Sequence, residues 1–417
     1  MSAASSEASS TPDSSGGATA SGAVDALPAA PGIPHARAAL NLLLVLTGLH
    51  FLVDTVAGTT SPLWPNLGRH YSIGDQGVLW LYFIWTLSTS ITQAVFAYCG
   101  DRWQRPWMIW VGPAIGVVGI SCIGLTTSPW LGGAMLVAGG LGISAFHPEG
   151  AAAASGCFPS HRSRAMSIFS IGGYLGQALG PCYAGYVVDA VGLRGLTMGL
   201  AWGLAGVAIF AWGLTASRLP APPRRERVSL RRLIAGKRRL LAIVLAVGTL
   251  RVVPAMGIPI GVAFVLEQRG YTTTEVGLVQ MVFMAGLGAG SLACALLLPR
   301  RWERTALWLL PLCVTPACLL APYLQGAALV ACVGLGGGLL GLALPVLIGY
   351  GQQLLPEGQR IASSITMGLS WGLGAGLVAG GLRLGQETGS MPLSFALFAA
   401  ASVVSSLLSR ALPPAAV

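Results

Sequence analysis

Twelve long apolar stretches follow one another along this chain, at roughly 36–58, 77–99, 107–127, 130–153, 165–187, 195–217, 240–266, 275–298, 305–322, 326–349, 361–384 and 391–410. Most approach the ~20 residues that cross a bilayer as an α-helix. Backbone exposed to lipid must satisfy its own hydrogen bonds, and a helix does so within each segment. Composition agrees, with 54% hydrophobic residues, 9% charged residues and a mean hydropathy of +0.70, against a charged share of about 25% in soluble domains. The sequence predicts an all-α integral membrane protein with twelve transmembrane helices.

The net charge of +10 is distributed as a topological signal. With the N-terminus inside, 19 of the 24 Lys and Arg fall in inner loops and ends, and only Arg69, Arg194, Arg269 and Arg383 fall outside. That bias predicts a multi-pass protein of the cell (inner) membrane with both termini cytoplasmic. Nucleic acid is excluded as a partner, since no aromatic and basic residues interleave on a polar face. Residues 1–35, rich in Ser, Ala, Gly and Pro, read as a disordered tail without the apolar core of a signal peptide. The eight cysteines are scattered with no C-x-x-C spacing, so they read as packing residues, and no metal site is expected.

A basic stretch at 218–239 divides the segments six and six, giving an N-terminal bundle over 36–217 and a C-terminal bundle over 240–412. The halves repeat in the same orientation. Arg102-Trp103-Gln104-Arg105, after the second segment, recurs after the eighth as Arg301-Trp302-Glu303-Arg304, while Gly172, Gly176 and Gly180 recur in the eleventh as Gly368, Gly372 and Gly376. Two six-helix halves related by an axis along the membrane normal are a known design for alternating access, with the substrate between them. Glycine at every fourth position lines a helix face with backbone and lets a neighbour approach closely.

Five ionisable residues lie clearly inside apolar segments: His50 and Asp54 in the first, His147 and Glu149 in the fourth, Arg251 in the seventh. Charges at such depth are costly and point to function. His50 and Asp54, four apart, share a helix face, and Asp54 falls about 21 Å along its segment at 1.5 Å per residue. A carboxylate in scarce water can exchange a proton near neutral pH; a static pair with Arg251 or His50 is the other reading. Arg251 does not titrate, and its planar fork suits a phosphonate, phosphate or carboxylate. It is therefore assigned to an anionic substrate, or to Asp54 until substrate arrives. His147 and Glu149, about 25–29 Å along a segment entering from outside, are expected near the cytoplasmic surface and apart from Asp54. There Glu149 either relays protons and gates with Arg102, Arg105 or Arg164, or merely anchors its helix.

Several motifs resemble those of the major facilitator superfamily. Ala97-Tyr-Cys-Gly-Asp101-Arg102-Trp-Gln104-Arg105 is similar to that family's loop signature, with Asp101, Arg102 and Arg105 matching and Ala97 and Gln104 replacing two glycines. The resemblance implies a cytoplasmic latch, although Arg300 stands where its acidic counterpart in the second half would be. Gly176-x-x-x-Gly180-Pro181-x-x-Ala184-Gly185 looks like the antiporter signature of drug/proton exchangers; the alternative is ordinary close packing. More narrowly, Leu49-His50-Phe-Leu-Val-Asp54, Phe146-His147-Pro148-Glu149 and Tyr350-Gly-Gln352-Gln-Leu-Leu-Pro356 resemble the fosmidomycin-resistance family of exporters. That likeness implies the major facilitator fold and a functional monomer.

The leading expectation is a secondary active exporter of a small amphipathic or anionic compound, driven by a proton gradient with no cofactor. Uptake of an organic anion through Arg251 is the alternative within transport. A membrane-embedded hydrolase is disfavoured by the absence of H-E-x-x-H and by the two His-carboxylate pairs being placed at different depths. A sensor would need a soluble domain, and the absence of a phosphate-binding Gly-x-x-x-x-Gly-Lys-Ser/Thr loop excludes ATP as the driver.

Overall fold

The computed structural model describes residues 33–103, 107–158, 162–217, 235–355, 362 and 364–413. The tail at 1–32 and residues 218–234 of the basic stretch lie outside them. The first half comprises α1 (Ile33–Gly58), a short α2 (Trp64–Tyr71), α3 (Asp75–Ser90) running on into α4 (Thr92–Trp103), α5 (Met108–Ser121), α6 (Pro129–Cys157), α7 (Arg162–Val191) and α8 (Met198–Ser217). The second comprises α9 (Arg238–Gln268), α10 (Thr273–Leu297), α11 (Glu303–Leu320), α12 (Gly326–Leu354), α13 (Ser370–Glu387), entered through a π-helical turn at Ser364–Leu369, and α14 (Met391–Ser409). No strand occurs among the described residues.

Eleven helical stretches among the described residues are long and apolar enough to cross a membrane. The fifth expected segment, α7, is helical over 30 residues but is not one of the eleven, because Gly, Tyr, Ser and Gln dilute its apolar content. Its neighbours explain that composition. Positions 172, 176 and 180 lie so close to α1 that an added Cβ would stand 2.3 Å from the Thr47 carbonyl oxygen, 2.3 Å from that of Phe51 and 2.4 Å from that of Thr55. Two parallel helices thus meet backbone to backbone in register every fourth residue, a contact only glycine permits.

The end of the bundle remote from the chain termini, here termed distal, has a lid of its own. α1 stops at Gly58, and Thr59 and Thr60 turn the chain into α2, which starts with Pro65 in its first turn. Buried Leu63, Trp64, Leu67 and Tyr71 hold α2 down, and the Tyr71 hydroxyl donates to the Ile123 carbonyl at 2.7 Å. The distal ends of the two halves also touch. Asn66 donates to Thr273 Oγ1 at 3.3 Å, Gln280 to the Ser61 carbonyl at 3.3 Å, and Arg69 pairs with Glu267.

Candidate functional site

Three helices of the first half bring His50, Asp54 and His147 together. α1 carries His50 and Asp54 one turn apart, and His50 Nε2 stands 3.4 Å from Asp54 Oδ2. α6 brings His147, whose Nε2 lies 3.1 Å from Asp54 Oδ1. α7 supplies the wall, with the Phe169 ring stacked on His50 at 4.1 Å between centroids. Gly173 makes the space, since a Cβ there would lie 2.6 Å from His50 Cε1 and 2.8 Å from Asp54 Oδ2. His50 and Asp54 are 8% and 6% exposed.

Hydrogen-bond accounting fixes the tautomers. His50 Nδ1 donates to the Phe169 carbonyl at 2.8 Å, and His147 Nδ1 donates to the Ile143 carbonyl at 2.8 Å. A carbonyl only accepts, so both Nδ1 atoms carry hydrogen, and in a neutral imidazole Nε2 is then a bare lone pair. Both lone pairs would face the oxygens of an ionised Asp54, which also only accepts. The cluster becomes self-consistent once a proton is shared among the three side chains. Its donor atoms lie within 4.8 Å of one another, and two imidazoles with a carboxylate are ligands that a zinc-type ion accepts. Ligands bound at about 2.0–2.1 Å stand roughly 3.4 Å apart in a tetrahedral site, so the set would have to draw together to hold a metal. A proton requires no such movement.

His147 corrects the sequence expectation of a separate site near the opposite surface. Tyr71 touches α6 at Gly132. The 3.1 Å contact between His147 Nε2 and Asp54 Oδ1 puts the two residues at the same level, although Asp54 is only four residues from the end of α1 and His147 is 15 residues along α6 from Gly132. Depth counted from segment ends failed for two reasons. α1 ends beneath the α2 lid rather than at the surface, and α6 is 29 residues long, beyond the ~20 needed to cross. Glu149, next but one after His147, turns about 200° from it around the helix axis and is half-buried. The side chains of Arg102 and Arg164, expected near it, are not among those described.

Arg251 is also placed differently from expectation. It is 1% exposed, and its guanidinium turns into its own half, donating to the Ala343 carbonyl at 3.0 Å and the Leu307 carbonyl at 2.6 Å. Neither Asp54 nor any other carboxylate forms an ion pair with it among the described residues. Leu307 explains the attraction. The helical partner that would donate to its carbonyl is Pro311, which has no N–H, and Arg251 satisfies the carbonyl so released.

Of the remaining motif residues, Asp101 and Arg102 fall in the last turn of α4, and Arg105 lies outside the described residues. Gly176 and Gly180 pack on α1, as above, with Asp54 Cβ 3.0 Å from a Cβ added at 176. Pro181 and Gly185 face the other half: a Cβ on Gly277 would meet the Pro181 carbonyl oxygen at 2.3 Å, and one on Gly185 the Thr273 carbonyl oxygen at 2.5 Å. In the sequence Gly173 figures only within the stretch 167–173 that resembles the fosmidomycin-resistance exporters, with no role of its own, and Pro311 is not singled out, although its spacing from Leu307 is readable once Arg251 stands out.

Comparison with known proteins gives this arrangement a context. The family model described as Major Facilitator Superfamily matches residues 46–379. The fosmidomycin resistance protein of Escherichia coli is 24% identical over 353 residues, covering 82% of this chain and 86% of that protein. A probable actinorhodin transporter of Streptomyces coelicolor is 30% identical over 360 residues, covering 76% and 60%. Among solved structures, the xylose transporter XylE from E. coli aligns with TM-score 0.68 at 15% identity, covering 90% of this chain and 96% of that one. The nucleoside transporter NupG aligns with TM-score 0.66 at 15% identity, covering 89% and 99%.

Proposed function

Because the chain belongs to the Major Facilitator Superfamily, and is therefore a multi-pass membrane transporter rather than an enzyme, we propose that it exports a small amphipathic or anionic compound in exchange for protons. The observation that carries this reading is the convergence of two Nδ1-committed imidazoles on the Asp54 carboxylate. Three such groups hold one proton more comfortably than none, and a site that must gain and release a proton is what coupling requires. The proton gradient is then the only energy source, with no cofactor.

Export is favoured over uptake by two considerations. Relatives are named for fosmidomycin resistance and, as a probable activity, actinorhodin transport, and α7 carries the glycine and proline pattern expected of exchangers. The uptake alternative rests on Arg251 as an anion receptor, and that guanidinium turns Nη1 and Nη2 to backbone carbonyls of its own half, with Nε left unpartnered among the described residues. Arg251 accordingly has a structural role in this conformation. The hydrolase alternative loses one sequence argument, since the His and carboxylate groups do meet, but membership of a transporter family removes it on other grounds.

With the termini cytoplasmic, the distal end faces outward and the protein works as a monomer in the inner membrane. The test is growth of an efflux-deficient bacterium carrying the wild type or its Asp54→Asn form, over a panel of toxic compounds that includes phosphonates such as fosmidomycin. Protection by the wild type alone, at equal membrane abundance, supports proton-coupled export. Equal protection by both forms removes Asp54 from coupling, and protection by neither refutes export of the compounds tested.

A further inference from the structure

The N-terminus of α10 is completed by a residue from the other half of the molecule. An α-helix leaves its first backbone N–H groups without helical partners. Thr272 and Glu275 settle two of these within the segment: Thr272 Oγ1 accepts from Glu275 N at 3.2 Å, and Glu275 Oε2 accepts from Thr272 N at 2.8 Å. The amides of Thr273 and Thr274 stay open. Asp189, near the distal end of α7, takes both, with Oδ1 accepting from Thr273 N at 3.1 Å and Oδ2 from Thr274 N at 2.6 Å. Oδ2 also accepts from the Thr274 hydroxyl at 2.6 Å.

The carboxylate stands at the end of a stripe. Pro181, Gly185 and Asp189 are spaced by four on α7, and each meets α10: Pro181 at Gly277, Gly185 at Thr273, Asp189 at Thr273 and Thr274. The glycines allow the two helices to touch, and the carboxylate ties them. A negative charge at the positive end of a helix adds electrostatic attraction to the hydrogen bonds. Arg69 with Glu267, Asn66 with Thr273 and Gln280 with Ser61 join the halves at the same end, but none of these supplies α10 with its missing acceptors.

We propose that Asp189 is the latch of the distal gate, the positioning residue whose bonds to Thr273 and Thr274 hold the two halves together on that side and which must let go before a central site can open there. In the open arrangement the two amides pass to water and the Asp189 carboxylate is hydrated, so the closed arrangement is favoured by the difference. The role is independent of which compound is carried and of which ion is exchanged.

The experiment is hydrogen–deuterium exchange, read by mass spectrometry, on the full-length protein in lipid nanodiscs, with wild type, Asp189→Ala, Asp189→Glu and Thr274→Val. In Asp189→Ala, exchange speeds up by about ten-fold in distal peptides covering 59–70 and 268–280, while proximal peptides covering 238–247 and 347–355 become slower, as alternating access requires. Thr274→Val, which keeps both backbone amides and loses one hydroxyl, moves both ends the same way by a smaller factor. Asp189→Glu restores part of the protection. Faster exchange at both ends in Asp189→Ala would make Asp189 a purely structural tie and overturn the proposal, as would unchanged exchange at the proximal end.

Discussion

In the first half of the molecule, Asp54 meets two imidazoles at 3.1 and 3.4 Å. At the matching position of the second half, Arg251 meets backbone carbonyls. The correspondence extends to the partner helix, because the spacing from His147 to Ala343 repeats that from Asp54 to Arg251 to within a single position, and Ala343 supplies one of the carbonyls that Arg251 holds. One scaffold position has thus been given two physically different fillings. The first can change its charge by gaining or losing a proton that three side chains share, whereas the second carries a charge that is fixed and donates to two backbone carbonyls, one of them released by a proline. The repeat makes two halves of similar shape, and the side chains within them put the titratable element in only one.

The contrast is broken most severely at Asp54. Asp54→Asn removes the ionisable carboxylate that both imidazoles face, and resistance conferred by the protein should fall to that of cells lacking it, with membrane abundance unchanged. His147→Gln should come close to the same loss in that growth assay, since it removes the nearer imidazole. Protection equal to wild type in either variant would place coupling elsewhere.

Gly173→Ala comes next. Its new methyl has to displace His50 or Asp54, and overpacking of this kind costs about 1–3 kcal/mol. Thermal unfolding in detergent should show the loss, with transport reduced as well. Gly380→Ala, at a position with open space around the added carbon, should leave both unchanged. Similar behaviour of the two alanines would mean that the fit around the cluster is loose.

In the second half the expected effect is on stability rather than coupling. Arg251→Met leaves the Leu307 carbonyl without a donor, at a cost of roughly 1–3 kcal/mol, while protons should still be taken up on addition of an exported compound. Pro311→Ala restores an N–H opposite the Leu307 carbonyl. In that background Arg251→Met should cost less, with a coupling energy of about 0.5–1 kcal/mol in a double-mutant cycle on thermal unfolding. Strict additivity would show that the proline does not recruit the arginine.

Much of the fold could be read from the sequence because spanning helices are written as runs of apolar residues, and observed helix limits mostly fall close to the predicted ones. The exception is instructive. α7 is the least apolar span because it packs against α1 on one side and α10 on the other, so glycine and polar residues replace bulk there. At the site, the i, i+4 relation of His50 and Asp54 was local and therefore legible. The meeting of His147 with Asp54 was not, because it depends on where α1 ends beneath the α2 lid. Arg251 stood out as a buried charge, but the direction of its side chain depends on Pro311 in another helix. Asp189 gave no sequence signal, since an acid at a helix end is commonplace until its partner across the halves is seen.

The proposed coupling rests on a proton shared by His50, Asp54 and His147. The chain has five histidines, so nitrogen-15 labelling of histidine alone, read by solid-state NMR in lipid, can follow each imidazole. Two imidazoles should show a protonated Nδ1, at least one of them should also carry an Nε2 proton in the wild type, and that Nε2 proton should be lost in Asp54→Asn. Two imidazoles whose Nε2 atoms are bare in the wild type, or whose Nε2 state is unchanged in Asp54→Asn, would contradict the shared proton.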